Sequence, residues 1–332
     1  MTVAEIGEAA IVAWIRARID SSDPAHGVVL GPGDDAAVLA PAAPLVVTMD
    51  AISAGCDWIE ASALPGDIGH RAVAVNLSDL AAMGATPRWL LLGLELAPAW
   101  PWTDLCVAVE GALALTRQHG ATLVGGDVGI RPGPTTWTIT AIGEQRQRLL
   151  RRDGARPGDR VWLIGALGLA ALGLRALQDA SVRLPSPLRL RAEEAHRRPK
   201  PQVQAGLALA ATPGVHAAID VSDGLGLDAQ RLAEASGVHL ELVVDELPCL
   251  DRAAQGQLEA LGLDWRAAVA RGGDDYALLV CAEPQLDLAA LQGLTEAAPR
   301  AIGWVEQGSG VTLTLAGRDA SAELGGYVHG AA

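Results

Sequence analysis

From Ala4 to Ile19, apolar Ile6, Ala10, Ile11, Trp14, Ile15 and Ile19 recur at helical spacing, which predicts an amphipathic helix closed by Asp20, Ser21 and Pro24. The pattern then changes. Pro44 to Asp50 reads as a buried strand, Gly66 to Gly84 as a long helix, Trp89 to Leu96 as a strand and Thr103 to His119 as a helix. Ala121 to Val124 and Thr135 to Ile142 follow as strands. In the second of these, Thr136, Thr138 and Thr140 alternate with Trp137, Ile139 and Ala141, the period of a sheet with one polar face.

A polar, arginine-rich stretch from Glu144 to Asp159, with Gly154, Pro157 and Gly158, reads as a linker, giving expected domains 1–145 and 146–332. Beyond it the alternation resumes. Strands are predicted at Val161 to Gly165, Val215 to Val221, Val238 to Val244 and Tyr276 to Cys281, and near Ala301 and Val311. Helices are predicted at Leu169 to Asp179, Leu225 to Ser236 and up to Gly262, with helical pieces around Leu190, Leu207 and Trp265. Ser181 to Pro201 carries four prolines and is expected to run as an ordered surface loop. The whole reads as a two-domain α/β protein with mixed sheets.

A length of 332 residues, half of them hydrophobic, suffices for two cores. The net charge of −14, with no block of basic residues, argues against a nucleic-acid or anionic-membrane surface. Lys200 is the only lysine and no GxxxxGK[ST] surrounds it, so a Walker A loop is excluded. The longest apolar run, Val161 to Leu174, is too short to span a bilayer. Glu5 and Glu8 stand where a signal peptide would be basic, and four widely spaced cysteines suit reduced thiols, so a cytoplasmic protein is expected. Nothing in the fold or chemistry explains the absence of phenylalanine beside nine tryptophans.

Acidic motifs carry the chemistry. GPGDD presents Asp34 and Asp35 in a glycine turn, TMD ends at Asp50 beside Thr48, and NLSD sets Asn76 and Asp79 on one face of the long helix. GGD (Gly125 to Asp127) and DVSDG (Asp220 to Gly224) are expected at strand ends, where sheets open ligand crevices, and GGDD offers Asp274 and Asp275. Ser222 is also a candidate helix N-cap. Carboxylates gathered in one place repel each other unless hard cations neutralise them, which points to magnesium and phosphate. The histidines form no HExxH, and there is no GxSxG elbow.

Taken in order, GPGDDAAVL, TMDAISAGCDW, HRAVAVNLSDLAAMGATP, LVGGD, RRDGARPGD, HRRPKP, IDVSDGL and GGDDYALL resemble the thiamine-monophosphate kinases of the aminoimidazole ribonucleotide synthetase-like superfamily. The resemblance implies that superfamily's two-domain architecture and a homodimer formed through the N-terminal sheet. It implies direct transfer of the ATP γ-phosphoryl to thiamine monophosphate, the final step of thiamine diphosphate formation, with several Mg2+ ions and no catalytic nucleophile. By the same resemblance Asp34, Asp35, Thr48, Asp50, Asp79, Asp127, Asp220 and Asp223 are magnesium ligands or their neighbours. Gly126, Asp127, Arg152 and Ser222 are then ATP contacts, and Asp57, Asp274 and Tyr327 contact the substrate.

The chain departs from the family pattern at substrate positions. Asp57 and Trp58 stand where His-Phe is usual, Asp274 replaces a glutamate, Met49 and Val128 replace threonines, and Gln202 replaces an arginine. Alternatives are another ATP-dependent member of the superfamily, such as a selenophosphate or aminoimidazole ribonucleotide synthetase, or a binding paralogue without catalysis.

Overall fold

The computed structural model describes residues 1–19, 23, 26–60, 62–244, 252–295 and 298–326. Two compact units emerge, Met1–Leu80 with Ala85–Arg146, and Ala81–Gly84 with Gln147–Ala332.

The first unit begins with α1 (Val3–Ile6) and α2 (Glu8–Arg16) in place of the single helix expected from Ala4 to Ile19. Gly7 separates them at φ 80, a left-handed conformation that a helix interior does not allow. Of the expected terminators, Asp20, Ser21 and Pro24 lie outside the described residues. A short ribbon of β1 (Val28–Leu30) and β2 (Val38–Leu39) brackets the GPGDD turn. There follow β3 (Leu45–Ser53), α3 (Pro65–Ala82), β4 (Thr86–Leu96), α4 (Trp102–Gln118), β5 (Thr122–Ile130) and β6 (Thr136–Glu144).

The four long strands form one sheet in the order β3-β6-β4-β5, with β4 and β5 parallel and the other pairs antiparallel. Leu92 and Leu94 of β4, Trp137 and Ile139 of β6, and Leu77 and Leu80 of α3 are all buried. On the edge strand β3 the alternation runs the other way, leaving Val47 60% and Met49 64% exposed. Two strands outrun their expected bounds. Asp50 and Asp127 therefore sit within β3 and β5 rather than at strand ends.

The second unit contains β7 (Arg160–Ile164), α5 (Leu169–Gln178), α6 (Ser186–Arg197), α7 (Val203–Ala211), β8 (Val215–Val221), α8 (Leu225–Ser236) and β9 (His239–Val244). It continues with α9 (Arg252–Ala260), α10 (Trp265–Arg271), β10 (Ala277–Ala282), β11 (Arg300–Glu306), β12 (Gly310–Leu315) and β13 (Arg318–Asp319). The sheet order is β13-β12-β9-β11-β7-β10-β8, and among the described residues only β12 and β9 pair in parallel there. Apolar clusters cover both faces, one with Leu163, Ile219 and Leu279, the other with Ile164, Ala218 and Leu278. All six residues of β10 are accordingly buried.

The expected loop from Ser181 to Pro201 is instead largely α6, in keeping with the helical reading around Leu190. Pro187 falls in the first turn, where the missing N–H has no intrahelical partner to lose, and Pro199 and Pro201 follow the last turn. The prolines punctuate the helix without breaking it.

Candidate active site

In the first unit α3 turns the NLSD face toward β3. The Thr48 hydroxyl donates to the Asp79 carboxylate at 2.5 Å, and the Asn76 side-chain carbonyl accepts the backbone N–H of Asp50 at 2.9 Å. Asn76 is fully buried and its amide donates to the Ala72 carbonyl at 3.0 Å, so both ends of the side chain are used. One helical turn thus fixes two successive inward positions of the edge strand. Asp34 and Asp35 are exposed and adjacent, with the Asp35 N–H bonded to the Asp34 carboxylate at 2.9 Å.

Asp127 is not on the sheet face that carries Asp50. Its register partner is Gly93, which pairs with Thr138, which pairs with Ala51. That row lies on the sheet face opposite the one carrying Asp50, Ile139 and Leu92. Three strand spacings, about 14 Å, separate β3 from β5. Gly126 is required for close approach, since a Cβ there would lie 1.9 Å from the Leu92 carbonyl oxygen. Asp57 accepts the Ser53 N–H at 2.7 Å and so shapes the turn after β3.

In the second unit the DVSDG segment leaves β8 and enters α8. Asp220 is buried in β8 opposite Leu278. The expected Ser222 cap does not form; Gly224 is the N-cap and makes no side-chain bond. Instead Asp228, 1% exposed, reaches back from the first turn of α8 and accepts the N–H groups of Ser222 at 3.0 Å and Asp223 at 2.9 Å. Arg231 donates to both Asp223 and Asp228, at 2.6 and 2.7 Å. Burial pushes the Asp228 carboxyl above its ordinary range despite these partners. Asp228 and Arg231 carried no motif signal, though their i, i+3 spacing on α8 is the one that pairs charges.

The GGDD segment is tied to the same turn. Asp274 donates its N–H to the Ser222 carbonyl and Tyr276 to that of Val221, both at 2.8 Å. Asp274 and Tyr276 adopt φ 69 and 50, unusual for residues with side chains. The Asp274 carboxylate accepts the Tyr276 hydroxyl at 3.2 Å and lies 3.6 Å from Nδ1 of buried His196. Asp275 accepts the Gly168 N–H at 2.8 Å at the start of α5, and burial pushes its carboxyl well above the usual range. Both aspartates border a cavity of about 390 Å³ whose wall includes Arg198, Lys200 and Arg300. Arg152 is exposed, with its carbonyl held by the Ser236 hydroxyl at 2.8 Å. Tyr327 lies outside the described residues.

Residues 33–145 match the family described as AIR synthase related protein, N-terminal domain, and residues 156–316 match its C-terminal domain. The thiamine-monophosphate kinase of Rhodopirellula baltica is 35% identical over 78% of this chain and 77% of its own. The chain belongs to the thiamine-monophosphate kinase family. A crystal structure of the kinase from Stenotrophomonas maltophilia shares 35% identity and a TM-score of 0.77 over 93% of this chain and 95% of that one. The complex of AaThiL with AMPPCP and TMP is 28% identical, with a TM-score of 0.72 over 96% of each chain.

Within this family fold, no three His, Cys, Asp or Glu side chains among the described residues converge into a ready-made metal cage. Magnesium rarely uses such cages; it takes one or two carboxylates and fills its octahedron with water and substrate phosphate oxygens. The hard oxygen donors of Asp79 and Thr48 in one unit, and of Asp223 in the other, fit that mode. No helix among the described residues is long and apolar enough to cross a membrane.

Proposed function

We propose that the protein transfers the γ-phosphoryl group of ATP directly to thiamine monophosphate, forming thiamine diphosphate, the last step in making that compound. The observation that carries this reading is the likeness, over 96% of both chains, to a kinase solved with an ATP analogue and TMP. In the reaction a phosphate oxygen of thiamine monophosphate attacks the γ-phosphorus in line, the bond to the β–γ bridging oxygen breaks, and ADP leaves with the electron pair. Magnesium, when bound, would screen the repulsion between the two polyanions.

The residues divide the labour between an N-terminal metal- and nucleotide-binding domain, 1–145, and a C-terminal domain, 146–332. Asp34, Asp35, Asp50 and Asp79 offer oxygens for cations, with Thr48 and Asn76 fixing the geometry of the last two. Asp220 and Asp223 offer further oxygens, and Asp127 serves with Gly126 at the nucleotide. Arg152 suits a nucleotide phosphate because its guanidinium stays charged and binds two oxygens at once. The family resemblance assigns Ser222 to the nucleotide, and Asp57, Asp274 and Tyr327 to the substrate. A homodimer that covers the exposed Leu45, Val47 and Met49 of β3 and a cytoplasmic location complete the proposal.

Incubation with ATP, Mg2+ and thiamine monophosphate tests the reading. Thiamine diphosphate should accumulate with stoichiometric ADP. ADP without thiamine diphosphate, or neither product, would refute it.

A further inference from the structure

In this structure the Asp223 carboxylate is bonded by a guanidinium. Arg231 bonds Asp223 at 2.6 Å and Asp228 at 2.7 Å through one nitrogen, while the other Asp228 oxygen holds the amides of Ser222 and Asp223. Asp228 is almost completely buried, whereas the Arg231 and Asp223 side chains are 39% and 27% exposed. The backbone of the turn is therefore anchored by a buried carboxylate, and the Asp223 carboxylate is held by a partly exposed cation. An arginine so placed neutralises Asp223 at close range and occupies one of its two oxygens, so a divalent ion that takes that oxygen competes with the guanidinium.

We propose that Arg231 is a positioning residue that acts as the resident counter-ion of Asp223, keeping its carboxylate in place until a divalent cation displaces the guanidinium. The inference rests on the assignment of Asp223 as a magnesium ligand. Displacement leaves Arg231 on Asp228, so the buried carboxylate keeps a partner throughout the exchange and the Ser222 and Asp223 amides stay fixed. Because the Asp274 N–H is bonded to the Ser222 carbonyl, the anchored turn also keeps the GGDD segment in register with it.

Calorimetric titration of the nucleotide-free protein with Mg2+ alone provides the test, with the Asp223→Asn variant marking the binding component that belongs to this carboxylate. Arg231→Gln should tighten that component about fivefold, the scale of a partly exposed ion pair. Arg231→Lys, which keeps the charge, should stay near wild type. Arg175→Gln, an equal change of net charge at an exposed site on α5, should leave it unmoved. Amide exchange at Ser222 and Asp223 should remain slow in Arg231→Gln and become fast in Asp228→Ala.

Unchanged or weaker Mg2+ binding in Arg231→Gln would overturn the proposal, as would an equal gain in Arg175→Gln. If Asp223→Asn removes no component while thiamine diphosphate still forms, the inference falls and the kinase reading stands. If thiamine diphosphate does not form but Asp223→Asn removes a component that Arg231→Gln tightens, the kinase reading falls and the counter-ion role stands.

Discussion

Thr48 and Asp79, 31 residues apart, meet through a 2.5 Å hydrogen bond that ties the edge strand β3 to the long helix α3. The hydroxyl occupies one carboxylate oxygen and orients the other. Thr48→Val keeps the shape and removes the donor, so it should cost about 1 kcal/mol of stability. It should weaken the Mg2+ dependence of turnover far more than that cost suggests. Denaturant melts and Mg2+ titrations of activity check the two effects separately, and Thr48→Ser should restore both.

Asn76 uses both ends of a buried amide, one on Asp50 and one on Ala72. Asn76→Ala leaves the Asp50 N–H without its acceptor and should destabilise the protein by about 2 kcal/mol. Urea unfolding gives the number. A loss under about 0.5 kcal/mol would mean that the strand finds another partner.

Magnesium and ATP together should raise the melting temperature more than either alone, because ligands that bind only the folded state stabilise it by mass action. Asp79→Asn should abolish the joint increment and leave the unliganded melting temperature little changed. Thermal shift with each ligand singly and combined measures this.

Asp57 has a local duty in the turn through the Ser53 amide, so replacing it with a bulky side chain would disturb more than charge. Asp57→Asn keeps an acceptor for that amide and removes the negative charge. The KM for thiamine monophosphate should fall about threefold at unchanged kcat, the scale of one screened charge. An unchanged KM would show that Asp57 does not face the phosphate.

Glu144 is 1% exposed at the end of β6, with Arg146 at 2.6 Å, Arg88 at 3.4 Å and the Ala42 amide at 2.7 Å. Burial pushes its carboxyl up, but the Ala42 amide and the two arginines outweigh burial and hold it below the ordinary value of 4.5. A depressed folded-state pKa means stability that is complete above the unfolded value and lost as pH falls through the folded one. Glu144→Gln should therefore cost about 2 kcal/mol at neutral pH and progressively less below the ordinary value of 4.5. Stability measured against pH for both proteins reveals the converging curves.

The alternation of apolar and polar positions determined the long elements. The buried runs of β4, β7 and β10 and the long apolar stretch of α3, buried nearly all round, admit few other readings, because burial on every side of an element writes itself into composition. The strand limits at Asp50 and Asp127 were not legible, since polar residues at a sheet edge look like strand ends when their neighbours are unknown. The Gly7 break was likewise hidden, because a single φ carries no periodic signal, and the helix at 186–197 was legible around Leu190 but not in its extent, because the position of a proline within a turn carries none either.

For the site, sequence alone identified the acidic motifs and the placement of Asn76 and Asp79 on one helical face, which follows from a period of 3.6 residues. Only the tertiary structure decided what those side chains touch. Strand register put Asp127 on the opposite face from Asp50, and the path of α8 brought Arg231 back onto Asp223. Such meetings depend on how strands are ordered and where helices are aimed, and those arrangements are selected by packing of the whole core rather than by any local run of residues.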